Sequence, residues 1–172
     1  MNTMQNSRFF GWIVFILIFA YCGYASANGL CDTNEIVVFS FETGAHKNLS
    51  ICKHSNRDYL VYRYGSSDSV EFQYPKTLSK KSWDAFSFSG MKRGGGKANS
   101  GFGDYDLSFS NKGFSYVVFQ MWNDEDDTYS IGVVVRNEKT KRETHIDGVP
   151  SSQKGSLVLL EDEGRNIKNT AW

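Results

Sequence analysis

From residue 35 onward the chain alternates apolar and polar positions in short runs, and each run stops at a turn signal. Ile36-Val37-Val38-Phe39-Ser40-Phe41 is a compact apolar run, and Lys47 to Cys52 places Leu49 and Ile51 on one side and Ser50 and Cys52 on the other. An apolar residue at every second position is the period of a half-buried strand. Tyr59–Tyr64 and Val70–Tyr74 repeat the pattern across Gly65-Ser66-Ser67-Asp68. Pro75 closes that pair because it has no amide to give to a ladder. Residues 76–82 are polar and predict a loop, or at most one helical turn.

Trp83–Ser89 predicts the next strand, and Leu107–Ser110 with Phe114–Trp122 a hairpin across Asn111-Lys112-Gly113, where Gly113 can take φ > 0. Tyr129–Arg136, Glu143–Ile146 and Gly155–Leu160 complete the set. About ten short strands joined by tight turns, with no amphipathic helix, predict an all-β antiparallel meander. It would close as a sandwich or flattened barrel, with a propeller-like array as the third option.

The stretch between Gly90 and Gly103 breaks the alternation. It holds six glycines together with Lys92, Arg93 and Lys97. Glycine loses more backbone entropy on ordering than any other residue, so a segment this rich in it is mobile or needs close backbone approach. It predicts a flexible, cationic hairpin held out as a contact surface.

The N-terminus follows a different rule. Arg8 precedes an apolar run from Phe9 that ends before Ala25-Ser26-Ala27, the layout of a secretory signal peptide cleaved after residue 27. The run to Tyr24 is shorter than the ~20 residues of a membrane helix. Residues 28–172 then form a single all-β domain, periplasmic or secreted, with no stable membrane insertion once the signal is removed. Cys22 leaves with the signal, and the remaining pair, Cys31 and Cys52, predicts a disulfide in an oxidising compartment. Losing Arg8 from 19 basic residues leaves the mature chain one acidic residue in excess. So even a balance exerts no general pull on nucleic acid.

Catalytic signatures are sparse. His46, His54 and His145 fall in turn-like or polar segments without metal-ligand spacing, and no Gly-x-Ser-x-Gly elbow occurs. Gly94-Gly95-Gly96 lacks the pattern of a phosphate-binding loop. Asp84, Asp104 and Asp106 contain the makings of a carboxylate pair, although solvated turns and strand ends explain them more simply. Asp124-Glu125-Asp126-Asp127 does not match the calcium-loop spacing and predicts a solvated turn. No enzyme, metal site or cofactor is expected.

Two short motifs remain. Ser100-Gly101-Phe102-Gly103-Asp104-Tyr105 and Phe109-Ser110-Asn111-Lys112-Gly113 resemble the Ser-Gly-x-x-Tyr element and the Lys-Gly strand end of the periplasmic inhibitors of c-type lysozyme, with one residue more before the tyrosine. The size and exported all-β character also resemble periplasmic immunity proteins against wall-degrading toxins. The resemblance implies that Ser100 and Lys112 enter an acidic glycosidase cleft as hydroxyl donor and cation. The expectation is therefore an exported inhibitor of a cell-wall hydrolase of the lysozyme or amidase class. It would bind through Arg93, Ser100 and Lys112, with Trp83 and Tyr105 as aromatic anchors of the kind enriched at interface hot spots. The alternative is a glycan- or peptide-binding module using Trp83, Tyr105 and Trp122 as a stacking platform.

Overall fold

The structure, a computed structural model, describes residues 29–96 and 99–170. The expected signal peptide and Lys97 lie outside the described residues. The strands are β1 (Glu35–Glu42), β2 (Asn48–His54), β3 (Leu60–Ser66), β4 (Ser69–Tyr74), β5 (Ser87–Arg93), β6 (Phe102–Asn111), β7 (Phe114–Asn123), β8 (Thr128–Asn137) and β9 (Glu143–Asp147). Two-residue strands β10 (Lys154–Gly155) and β11 (Lys168–Asn169) follow. They form a sandwich of a five-stranded sheet, order β10-β1-β2-β3-β4, and a six-stranded sheet, order β11-β5-β6-β7-β8-β9. Consecutive strands pair antiparallel within each sheet; only β11 runs parallel to its neighbour, β5.

Alternation dictates the core. Phe39, Phe41, Leu49, Ile51, Leu60 and Tyr62 of one sheet meet Phe88, Tyr105, Leu107, Phe109, Val118, Ile131 and Val133 of the other. Rings dominate the contact. Phe109 stacks on Tyr74 with centroids 4.4 Å apart and on Tyr116 at 4.6 Å.

Two predicted strands are helical over part of their length, Ser87–Ser89 and Gly155 alone being strand. Trp83 sits in a 3₁₀ helix, Lys80–Ala85, not at a strand start. Leu157–Leu160 belongs to a second, Leu157–Glu163, capped by Ser156, whose hydroxyl accepts from the Val158 amide. It buries Leu157, Leu160 and Glu163. The run Leu-Val-Leu-Leu is apolar throughout, and such a run carries no periodicity to separate strand from helix.

The outer face of the five-stranded sheet is closed by the chain's own N-terminal strap. Cys31 is bonded to Cys52, the Leu30 amide donates to Ser50 Oγ at 3.1 Å, and Arg63 Nη1 donates to the Leu30 carbonyl at 3.1 Å. Arg63 also bonds Glu35 Oε1 at 2.9 Å and Asp32 Oδ2 at 3.0 Å. Burial alone would raise Glu35, but Arg63 outweighs it and holds the carboxyl below its ordinary range. Cys31, Glu35 and Cys52 lie close together, yet both sulfurs are spent on each other, so the trio is no metal site. No helix among the described residues is long and apolar enough to cross a membrane.

Candidate functional site

The glycine-rich stretch is mostly strand. β5 runs to Arg93 and β6 starts at Phe102, with Gly90 opposite Tyr105 and Gly103 opposite Lys92. These two glycines make room for rings rather than for a turn. A Cβ on Gly90 would lie 2.9 Å from the Tyr105 ring, and one on Gly103 would lie 2.1 Å from Trp122. The described tip residues, 94–96 and 99–101, are tied to one another and to the next turn. Gly96 and Asn99 exchange backbone bonds at 2.9 and 3.4 Å, and the Asp124 amide of the β7–β8 turn donates to the Gly101 carbonyl at 2.9 Å. The expected finger is, in its described residues, a hydrogen-bonded hairpin end resting against the acidic turn. Gly94 and Gly96 still face open space, with nothing within 4 Å of a Cβ placed on either.

Its cations are engaged as well. Arg93 donates from Nη2 to the Ser100 carbonyl at 2.9 Å and lies over the Phe102 ring at 5.0 Å. Lys92 bonds Glu161 at 2.6 Å, which raises the ammonium and lowers the carboxyl from their ordinary values. The Lys92 charge is therefore balanced locally by Glu161, whereas Arg93 is held by a carbonyl and a ring and keeps its charge at the tip.

Of the residues expected to bind a partner, Arg93 and Ser100 come together at this tip. Lys112 does not. It occupies the β6–β7 turn with φ of 50°, beside Gly113 at 80°. The ten residues of β6 separate it from Ser100 by roughly 30 Å at ~3.4 Å per residue. One cleft cannot take both. Trp83 and Tyr105 are core residues, 3% and 0% exposed, and so are not surface anchors. Trp83 Nε1 donates to the Arg57 carbonyl, and Tyr105 stacks on Trp122 at 5.4 Å while its hydroxyl bonds Glu161 at 2.9 Å. The platform Trp83–Tyr105–Trp122 is not assembled either; only Trp122 remains part-exposed.

Two surface features escaped the sequence. Asn56, Arg57, Lys80, Asp84, Asp162, Arg165 and Asn166 line a polar cleft of about 410 Å³ over the Trp83 ring. A shallower depression of about 310 Å³ lies on the six-stranded sheet, between Phe102, Asp104, Met121, Trp122, Asn123 and Ser130. It opens onto the outer face of that sheet, where strand register puts Met91, Asp104, Met121 and Ser130 in one row. Ser89, Asp106, Phe119 and Gly132 form the next. Asp106 is half-buried, and burial, then the neighbouring Asp104, push its carboxyl up to about 6. Asp84 is elsewhere, in the polar cleft, so the carboxylates considered together as one set divide into a pair and an outlier.

Fold and surface together define a disulfide-tied antiparallel β-sandwich whose six-stranded sheet has an outer face left open among the described residues. Comparison with known proteins adds no narrower class: no family model, curated protein or solved structure matches the chain.

Proposed function

We propose that the protein is an exported, non-enzymatic binding protein that inhibits a cell-wall hydrolase of the lysozyme or amidase class by seating the β5–β6 tip in the enzyme's cleft. The observation that carries this is the tip itself. It is narrow and free of side chains at Gly94–Gly96, and it is held in shape by the Arg93–Ser100, Gly96–Asn99 and Gly101–Asp124 bonds. A pre-formed hairpin end loses little freedom on docking, which lowers the entropic cost of binding. Its glycines let backbone donors approach a cleft wall closely. The inhibitor resemblance supplies the target class, and the Cys31–Cys52 disulfide suits an oxidising compartment outside the cytosol. Periplasm or secretion is part of the same proposal.

Inhibition of a panel of lysozymes and amidases acting on purified peptidoglycan tests the proposal. Deleting Gly94–Gly96 should abolish inhibition while Lys112→Glu leaves it intact. An inhibitor that tolerates the deletion, or a protein that inhibits no member of the panel, refutes it. A glycan- or peptide-binding module is the second reading, favoured by the depression beside Trp122. In that case wall fragments would be retained without any hydrolase, and Trp122→Ala would release them.

A further inference from the structure

The outer face of the six-stranded sheet departs from the usual pattern of an exposed antiparallel face, which alternates apolar inward with polar outward. β7 is apolar on both sides: Tyr116, Val118 and Trp122 point to the core side, Val117, Phe119 and Met121 outward. Met91 and Met121 are 45% and 39% exposed on either side of Asp104. Within this apolar ground Asp104 and Asp106, two apart on β6, share a face. Neither carboxylate has a hydrogen bond or an ion pair among the described residues. Opposite Asp106 on β5 stands Ser89, 8% exposed, whose buried Oγ has no partner.

Unpaired carboxylates on an apolar surface and an unsatisfied buried hydroxyl beside them are each unfavourable in the free protein. Together they form an anionic cluster with hydrogen-bonding capacity left unused. We propose that this face is a docking surface for a protein partner, which lays a lysine or arginine across Met91 and Met121 and sets its cationic head on Asp104, Asp106 and Ser89 Oγ. Charge decides the occupant. The cluster offers two carboxylates, and the cation of the adjoining row, Arg93, is turned to the Ser100 carbonyl and the Phe102 ring instead. The thioethers and the Phe119 ring fit the methylene stem that lysine and arginine bury behind their charge. The row carrying Arg93 and Phe102 adjoins the row carrying Met91 and Asp104, so the face continues directly into the β5–β6 tip. A partner gripping the tip reaches this face without a gap. The inference therefore deepens the proposed function, and rests on it only for the partner being a protein.

The test needs no hydrolase, so its failure leaves the inhibitor proposal standing and the converse also holds. The probe is the peptide acetyl-Lys-Val-Lys-Val-Lys-amide, with its norleucine counterpart as the uncharged control. It is titrated into the disulfide-bonded protein while the methyl carbons of Met91 and Met121 are followed by NMR. The expected result is saturation at roughly millimolar peptide. Shifts should be confined to Met91, Met121 and their neighbours, with at least about a tenfold loss of affinity in Asp104→Asn/Asp106→Asn and none seen with the norleucine peptide. Ser89→Ala should weaken binding less. Equal binding by the double variant, equal binding of the norleucine peptide, or shifts absent at saturating probe would each overturn the proposal. Calcium chloride alone reproducing the shifts would replace it with a metal site.

Discussion

Replacing Asp106 by Asn should stabilise the protein at neutral pH, and the structure sets the size of the gain. Burial first, and Asp104 second, move this carboxyl from 3.8 to about 6. At about 1.4 kcal/mol per pH unit, ionising it in the folded state costs roughly 3 kcal/mol more than in the unfolded chain. Asp106 is only half-buried, and solvent screening brings the usable figure down to about 1–2 kcal/mol. The sign follows from proton binding. A folded-state value above the unfolded one means that the native protein holds the proton more tightly, so this stability is fully present below 3.8 and lost as pH rises through about 6. Urea unfolding of the wild type and Asp106→Asn should therefore give matching stabilities at the acid end and diverge through that window. Above it the variant should be more stable by about 1–2 kcal/mol. Asp104→Asn should narrow the gap by removing the second cause. Parallel curves for wild type and Asp106→Asn across the whole range would refute the assignment of Asp106 as a partly desolvated, unpaired acid.

Three further outcomes are expected. Reducing or removing Cys31–Cys52, which closes a separation of 21 residues, should lower stability by about 3 kcal/mol, read as a shift of the urea midpoint with dithiothreitol. Gly103→Ala should cost about 2 kcal/mol by overpacking against Trp122 and should alter tryptophan fluorescence, whereas Gly94→Ala, facing open space, should do neither. Glu35→Gln should cost about 3 kcal/mol by leaving the buried Arg63 guanidinium with exposed Asp32 as its remaining counter-charge. Because Glu35 is held below its ordinary range, its contribution is present above that range and lost as pH falls, so the variant's acid-unfolding curve should flatten.

The strands were legible wherever period-two alternation met a turn signal, as in Val70–Tyr74 and in the Asn111-Lys112-Gly113 hairpin. Glycine misled in both directions. Gly90 and Gly103 look like loop residues, but they answer rings on neighbouring strands, and cross-strand packing is not written in local order. Trp83 and Tyr105 have the composition of interface anchors, yet a large ring in a small sandwich is first of all core. The Ser100–Lys112 pairing failed on length alone, since a sequence motif does not say that a full strand stands between its halves. Asp104 and Asp106 were visible as carboxylates, but their placement needed the register with β5 and β7. Of the candidate site, then, the tip was readable and the face beside it was not.

The N-terminal strap gives the molecule a handedness of use. Gly29 sits against Ser40 and Ser50 on the side that the strap covers, whereas Thr170 sits against Phe88 at the margin of the other sheet. Attached to a bead or sensor chip by a leading tag, the protein would turn its uncovered side to the solution; a trailing tag would crowd that side. Comparing the two attachments in a capture experiment reveals which side any ligand prefers before a single residue is changed.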